Sequence, residues 1–129
     1  MAFMLSGKSR NNMVGIDPRL VRIAELAISI TRVDFGIPTD GGLRTPEQQN
    51  MLFSKGASKL DGYNKKSKHQ TGKALDFYAF VDGKASWEEE HLAMVAAAFL
   101  QAACMLGYKL QWGGLWATFK DMPHVELME

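Results

Sequence analysis

The clearest pattern along the chain is a run of hydrophobic residues at helical spacing between positions 17 and 30. The hydrophobic positions recur every three or four residues, as one face of an amphipathic helix requires, and they are Leu20, Ile23, Ala24, Ala27 and Ile28. Asp17 supplies a carboxylate for the N-cap, and Pro18 suits the first helical position. The pattern therefore predicts a first helix that begins after Asp17.

Several glycine and proline residues follow this helix and prevent a helix from forming there. Phe35, Ile37 and Leu43 lie among the helix-breaking residues and predict a short extended segment that ends at Arg44. The next residues, Thr45-Pro46-Glu47-Gln48, form a capping box. We expect a second, shorter helix there, and its hydrophobic residues are Met51, Leu52 and Phe53.

The second half of the chain predicts three strands and one long helix. Residues 74–81 read as a strand closed by a turn at Asp82-Gly83, and residues 108–112 and 124–127 alternate as strands do. Between them, Ser86-Trp87-Glu88-Glu89 reads as a capping box that opens a helix ended by Gly107. The hydrophobic positions of that helix are Leu92, Val95, Ala96, Phe99, Leu100 and Ala103. This order predicts an α+β fold with helices packed on a small antiparallel sheet.

Composition narrows the class of protein. A chain of 129 residues that is 47% hydrophobic and 22% charged is typical of one compact domain, which we expect to span residues 1–129. The formal net charge of +1 gives no overall attraction to nucleic acid, and no stretch is uniformly apolar over the roughly 18 residues that membrane insertion needs. Cys104 has no partner for a disulfide and is expected to be a small buried hydrophobic residue.

Residues 56–68 lose all hydrophobic periodicity and become basic, which predicts a mobile surface loop. The lysines of this segment are Lys59, Lys65, Lys66 and Lys68. They form either a merely solvated face or a weak patch that steers an anionic polymer.

His69 and Asp76 are the first candidates for chemistry. Asp76 interrupts an apolar strand, and a buried carboxylate without a partner would be costly. Seven residues of strand span roughly 23 Å, so the chain must fold back before both side chains can reach one ion. Gly72 suits such a turn because it tolerates a positive φ. On spacing alone, a metal site and a metal-free cap or histidine–aspartate hydrogen bond remain equal alternatives.

A second histidine and a second acid lie near the C-terminus. Pro123 excludes a helix, so a loop delivers His124 into the final strand, and Asp121 precedes that histidine by three residues. Two histidines and one carboxylate are a ligand set of catalytic zinc, which keeps its fourth position for water. Asp121 would then be free to take a proton from that water and return it to a leaving amine.

These residues resemble the motifs of a family of zinc peptidases that includes D-Ala-D-Ala carboxypeptidases, vancomycin-resistance dipeptidases and phage L-alanyl-D-glutamate endopeptidases. The matching segments, in order, are Asp34-Phe35, Gly42-Leu43-Arg44-Thr45, Ser67-x-His69-x-x-Gly72-x-Ala74-x-Asp76, Trp112-Gly113-Gly114 and Asp121-x-x-His124-Val125-Glu126-Leu127. The resemblance runs from about Asp17 to Leu127 and implies the single-domain fold shared by D,D-peptidases and hedgehog-type domains.

The resemblance also implies a role for each matching residue. His69, Asp76 and His124 match the ligands of Zn²⁺, and Asp121 matches the catalytic acid/base. Arg44 matches the arginine that polarises the scissile carbonyl, although without the resemblance a surface ion pair just before a helix would be the preferred interpretation. Ser67 matches a position that binds substrate, and a loop-stabilising hydroxyl is the alternative.

Other acidic and histidine residues refine this interpretation. Many relatives have Glu where this chain has Asp121, whereas the phage endopeptidases commonly have Asp, which favours that branch. Leu115 replaces an acid that relatives often carry. We expect this substitution to affect the order of the loop more than the binding of metal. Glu126 either accepts a hydrogen bond from His124 or faces solvent, and His91 is expected to be an exposed residue among glutamates.

We therefore expect a zinc metallopeptidase that hydrolyses peptidoglycan stem peptides as an L-alanyl-D-glutamate endopeptidase of a phage or prophage endolysin. The rivals are a D-Ala-D-Ala carboxypeptidase or dipeptidase and a non-catalytic, zinc-stabilised domain that binds wall peptide. The first residues do not resemble a secretory signal. A monomer in the host cytoplasm that reaches the wall with the help of a holin is the corresponding expectation.

Overall fold

The computed structural model describes residues 2–118 and 120–128 and confirms the predicted α+β class. The helices in these residues are α1 (Gly7–Asn12), α2 (Pro18–Ile30), α3 (Pro46–Ser54) and α4 (Glu89–Leu106). The strands are β1 (Asp34–Gly36), β2 (Ala74–Asp76), β3 (Tyr78–Val81), β4 (Lys84–Ser86), β5 (Leu110–Trp112) and β6 (His124–Leu127). Two 3₁₀ turns, Lys68–Thr71 and Gly113–Leu115, flank the sheet that carries the candidate site.

Helices α2 and α4 pack on each other and form the centre of the core. All five hydrophobic positions predicted for α2 are buried, and the Asp17 carboxylate caps the helix by accepting the N–H of Arg19 at 2.9 Å. Gly107 ends α4 with a φ of +80°, as predicted. In the described part of the chain, α4 is the helix whose length and composition would suit a membrane span, but its apolar face is buried against α2.

The strands form two antiparallel sheets rather than the one small sheet that we predicted. Sheet A has the order β1-β3-β4, and sheet B has the order β2-β6-β5. The predicted strand 74–81 is divided at Phe77, whose N–H donates to the carbonyl of Pro123 at 2.8 Å. Leu75, Phe77 and Ala79 are all fully buried. Every second side chain from Leu75 to Ala79 is therefore buried, although the chain leaves sheet B and enters sheet A.

The segment around α3 also departs from prediction. The Thr45 capping box is present, with Thr45 Oγ1 accepting the N–H of Gln48 at 3.1 Å. The side chain that α3 buries, however, is polar Gln49, whereas Met51 and Phe53 are exposed. The predicted extended segment before α3 is a strand only at Asp34–Gly36.

The structure differs from the sequence prediction at several further positions. Helix α1 was not predicted, because six residues with a Ser6 cap leave little periodic signal. Cys104 is exposed, since it lies about 100° around α4 from buried Ala103. Ser86 belongs to β4 and does not cap α4, and its hydroxyl lies 2.6 Å from Nδ1 of His91, which is half-buried rather than exposed.

Candidate metal centre

Sheet B places two of the predicted ligands directly opposite each other. In the antiparallel pair of β2 and β6, Asp76 is the register partner of His124, and Ala74 is the partner of Glu126. Residues paired across antiparallel strands project to the same face with Cβ atoms about 5 Å apart. Asp76, His124 and Glu126 therefore share one face of the sheet, and His124 Nδ1 lies 3.0 Å from Asp76 Oδ1.

The 3₁₀ turn before β2 delivers the third predicted ligand. Ser67 Oγ caps this turn by accepting the N–H of His69 at 3.2 Å. Gly72 ends it with a φ of +74°, so the chain reverses and places His69 over the start of the strand, as predicted. A Cβ at position 72 would lie 2.8 Å from the carbonyl oxygen of Gly15. Glycine is therefore required here by backbone conformation and by space.

The three side chains form a triangle of ligand atoms that suits a metal ion. His69 Nε2 lies 3.3 Å from His124 Nδ1 and 3.2 Å from Asp76 Oδ1, and the third edge is 3.0 Å. Atoms that bind one tetrahedral zinc ion at 2.0–2.1 Å lie about 3.3 Å apart. His69, Asp76 and His124 can therefore hold a metal ion.

Hydrogen bonds behind the two imidazoles determine which nitrogen faces the centre. His69 Nδ1 lies 2.9 Å from the carbonyl oxygen of Gly42, so this nitrogen carries a proton and Nε2 is the nitrogen that faces the centre. His124 Nε2 lies 2.8 Å from Glu126 Oε1, which holds a proton on that nitrogen and directs Nδ1 inward. The sequence allowed Glu126 either to hydrogen-bond to His124 or to face solvent, and the structure shows the hydrogen bond.

Electrostatics at the centre favour charged Asp76 and a cation beside it. Burial alone would raise the pKa of Asp76, but the charges and hydrogen bonds of His69 and His124 outweigh it and hold that pKa well below its usual range. Burial likewise disfavours charged His124, yet the hydrogen bonds to Asp76 and Glu126 raise its pKa to about 9. In the absence of metal, a proton on Nδ1 thus occupies the position that a metal ion would take.

Arg44 lies beside the centre and not on the surface. Its side chain is 10% exposed, and Nη2 donates to Asp76 Oδ2 at 2.9 Å. Nη1 donates to Gln49 Oε1 at 3.0 Å, and Nε donates to the carbonyl of Asp40 at 3.0 Å. A guanidinium has five N–H donors, so two of them have no acceptor among the described residues.

Asp121 lies at the rim of the same centre. Its Oδ2 is 3.8 Å from His124 Nδ1, and its side chain is 38% exposed. Burial and the negative charge of Asp76 raise the pKa of Asp121, although His124, His69 and Arg44 oppose the shift. A carboxylate with a raised pKa, close to the candidate ligands but not bonded to them, is suited to accept and return a proton.

One cleft of about 400 Å³ brings all six predicted site residues together: Arg44, Ser67, His69, Asp76, Asp121 and His124. The cleft also contains residues that our sequence analysis did not assign to a site. The Trp116 ring lies 5.2 Å from the His124 ring, and Lys66 also lines the cleft. Trp116 comes two residues after the matched Trp112-Gly113-Gly114 segment, with Leu115 between them. This position next to a matched motif was the sequence feature that could have identified it as a cleft residue. Leu115 itself is 73% exposed.

Comparison with known proteins agrees with this geometry. The family described as phage L-alanyl-D-glutamate peptidase matches residues 1–128. The L-alanyl-D-glutamate peptidase of Escherichia phage T5 is 35% identical over 122 residues, which cover 94% of this chain and 87% of that protein. The peptidoglycan L-alanyl-D-glutamate endopeptidase CwlK of Bacillus subtilis is 30% identical over 98 residues, covering 67% of this chain and 58% of that protein.

A solved structure has the same fold. The crystal structure of the Serratia marcescens L-Ala D-Glu endopeptidase ChiX superposes with a TM-score of 0.86 at 35% identity, covering 97% of this chain and 90% of that one. The resemblance seen in the motifs is therefore confirmed over nearly the whole sequence. The chain belongs to the phage L-alanyl-D-glutamate peptidase family.

Proposed function

We propose that this protein is a zinc-dependent endopeptidase that hydrolyses the L-alanyl-D-glutamate bond of peptidoglycan stem peptides. The observation that carries the proposal is the triangle of His69 Nε2, Asp76 Oδ1 and His124 Nδ1, with Asp121 and Arg44 at its edge in one cleft. Membership of a peptidase family supports the same activity.

His69, Asp76 and His124 are the residues that would hold the zinc ion. Two neutral imidazoles and one carboxylate leave one tetrahedral position open, which is the arrangement of catalytic rather than structural zinc sites. A bound zinc ion supplies Lewis acidity, which makes water acidic enough to lose a proton near neutral pH. Glu126 and the carbonyl of Gly42 keep the two imidazoles in the required tautomers.

The other cleft residues supply proton transfer and charge stabilisation. Asp121 accepts a proton from the attacking water, whose oxygen bonds to the carbonyl carbon of L-alanine. When the C–N bond breaks, Asp121 returns the proton to the departing amine of D-glutamate, so protons balance over the cycle. Arg44 donates its remaining N–H groups to the carbonyl oxygen as negative charge develops there. Ser67, whose oxygen already caps the His69 turn, offers its hydroxyl hydrogen to the substrate.

Digestion of purified cell wall tests this function. We expect new N-terminal D-glutamate after treatment with the protein, loss of that product after chelation, and recovery when zinc is restored. Metal analysis of the purified protein should find about one zinc ion per chain. Release of D-alanine without new D-glutamate termini would instead indicate a carboxypeptidase. Binding of wall without any cleavage would indicate the non-catalytic domain.

The biological setting is a proposal of the same kind. A monomeric endolysin made in the host cytoplasm should lyse cells from within only when a holin opens the membrane. The phage relative supports this setting. Co-expression with and without a holin, followed by turbidity, tests it, and lysis at the same rate without a holin would refute it.

A further inference from the structure

The basic segment 56–68, which we predicted to be mobile, is fastened to α3 by polar side chains. Gln49 is fully buried, and its Nε2 donates to Ser58 Oγ and to the carbonyl of Leu60, both at 2.9 Å. Asn50 Nδ2 donates to the carbonyl of Asp61 at 2.9 Å. These bonds define the position of the segment relative to the helix that follows Arg44.

The segment is also braced from within. Asp61 Oδ1 accepts three consecutive backbone N–H groups, from Tyr63, Asn64 and Lys65, each at 2.9 Å. Gln70 adds a further bond, from its Nε2 to the carbonyl of Gly62 at 2.9 Å. The side chains that this segment presents to the cleft are therefore held by an ordered backbone, which lowers the entropic cost of binding a ligand.

Most of the basic groups near the metal centre are already paired with acids. Arg44 pairs with Asp76 at 2.9 Å, and Lys68 pairs with Glu126 at 3.1 Å. Lys66 also lines the cleft, but within residues 2–118 and 120–128 it makes neither an ion pair nor a hydrogen bond. Among the described residues, the cleft thus holds one lysine whose positive charge has no acidic partner.

The proposed substrate carries a matching negative charge. Glutamate has two carboxyl groups, so when one of them continues the peptide the other is free next to the bond that is cut. In walls where that carboxyl is amidated, the charge is absent while the shape is nearly unchanged. A lysine ammonium distinguishes the two forms, because it forms an ion pair with the carboxylate but only a hydrogen bond with the oxygen of the uncharged amide.

We propose that Lys66 is a specificity-determining residue that binds the free carboxylate of the D-glutamate residue and favours acidic over amidated stem peptides. This inference rests on the proposed function and deepens it. The fastening of segment 56–68 to α3 places Lys66 in the cleft before substrate arrives.

Two synthetic stem peptides, identical except that the D-glutamate carboxyl is free or amidated, test the inference. The zinc-loaded wild type should cut the acid with a kcat/KM roughly tenfold higher than the amide, as one charge-assisted hydrogen bond predicts. Lys66→Gln should bring this ratio close to one by lowering the rate on the acid alone, and Lys66→Arg should keep the preference.

Lys65→Gln is the matched control, because it removes the same charge from the neighbouring exposed residue, which does not line the cleft. It should leave the ratio unchanged. A wild-type ratio near one, or a ratio in Lys66→Gln equal to that of the wild type, would overturn the inference while leaving the endopeptidase function intact. Failure of the wild type to cut either peptide would overturn the proposed function and this inference with it.

Discussion

Removing the negative charge of Glu126 should weaken metal binding although Glu126 is not a ligand. In Glu126→Gln the side chain keeps its shape but loses the ionised acceptor that lies 2.8 Å from His124 Nε2. The imidazole of His124 then becomes less basic, and its inward nitrogen is a poorer ligand. Lys68, which pairs with Glu126 at 3.1 Å, is left beside the histidine with an unbalanced positive charge.

The size of the effect follows from what each substitution leaves behind. Loss of a partner that supports a metal-binding histidine typically weakens metal affinity by about 10- to 100-fold, or 1.4 to 2.8 kcal/mol. Glu126→Gln retains an amide oxygen that can still accept from Nε2, so we expect about tenfold. Glu126→Ala retains no acceptor and frees the ring to rotate, so we expect a loss closer to 100-fold.

Competition between the protein and a zinc indicator, at fixed pH and ionic strength, measures the dissociation constant directly. Glu90→Gln is the control, since it removes one exposed carboxylate from the first turn of α4, away from the cleft. Unchanged zinc affinity in both Glu126 variants would show that the Glu126–His124 contact does not support a metal ligand, and the assignment of Nδ1 as the ligand atom would fail.

Three other predictions concern the acid, the pH response and the turn. Asp121→Ala should retain zinc but lose at least about 100-fold in kcat, the usual scale of general acid–base catalysis, and equal wall digestion by variant and wild type would remove Asp121 from the mechanism. The raised pKa of His124, about 9 without metal, stabilises the metal-free fold fully below an unfolded pKa near 6.5. In urea unfolding of chelator-treated protein, the free energy of unfolding should therefore fall by on the order of 3 kcal/mol as the pH rises from the unfolded pKa through the folded pKa of about 9. A free energy of unfolding that stays flat or rises over that range would contradict this prediction. Gly72→Ala should lower the free energy of unfolding by about 1 to 3 kcal/mol and weaken zinc binding through His69. Gly56→Ala isolates the effect of space, because Gly56 has a φ of +78° but nothing within 4 Å of its Cβ position; equal losses in both variants would refute the steric argument.

Sequence patterns were sufficient to predict structural features that depend on a single helix or a single turn. Asp17 and the buried stripe of α2 follow from capping and period alone, and the turn at Gly72 follows from a need for positive φ. The grouping of His69, Asp76 and His124 did not follow from spacing, which left a metal-free pair equally acceptable. The resemblance to known peptidases indicated that grouping, and the register of β2 against β6 accounts for it.

The parts that could not be predicted depend on contacts between distant segments. Alternation cannot reveal that the chain changes sheets at Phe77, because both strands bury the same side. A polar segment such as 56–68 looks mobile in sequence, since its order comes from Gln49 and Asn50 on α3. Gln49 gave no signal in the sequence, because a buried glutamine on a helix is identified only by its partners.

The segment that contains Gly42 and Arg44 explains why the candidate metal centre and the arginine are structurally one unit. Gly42 offers its carbonyl to His69 Nδ1, and the N–H of Arg44 donates to the carbonyl of His69 at 3.1 Å. A Cβ at Gly42 would clash with the carbonyl oxygen of Asn12, so no larger residue permits this path. The backbone that orients His69 therefore also carries the guanidinium that binds Asp76. A change at Gly42 cannot disturb one without the other, which is a physical reason for glycine and arginine to occur together in this motif.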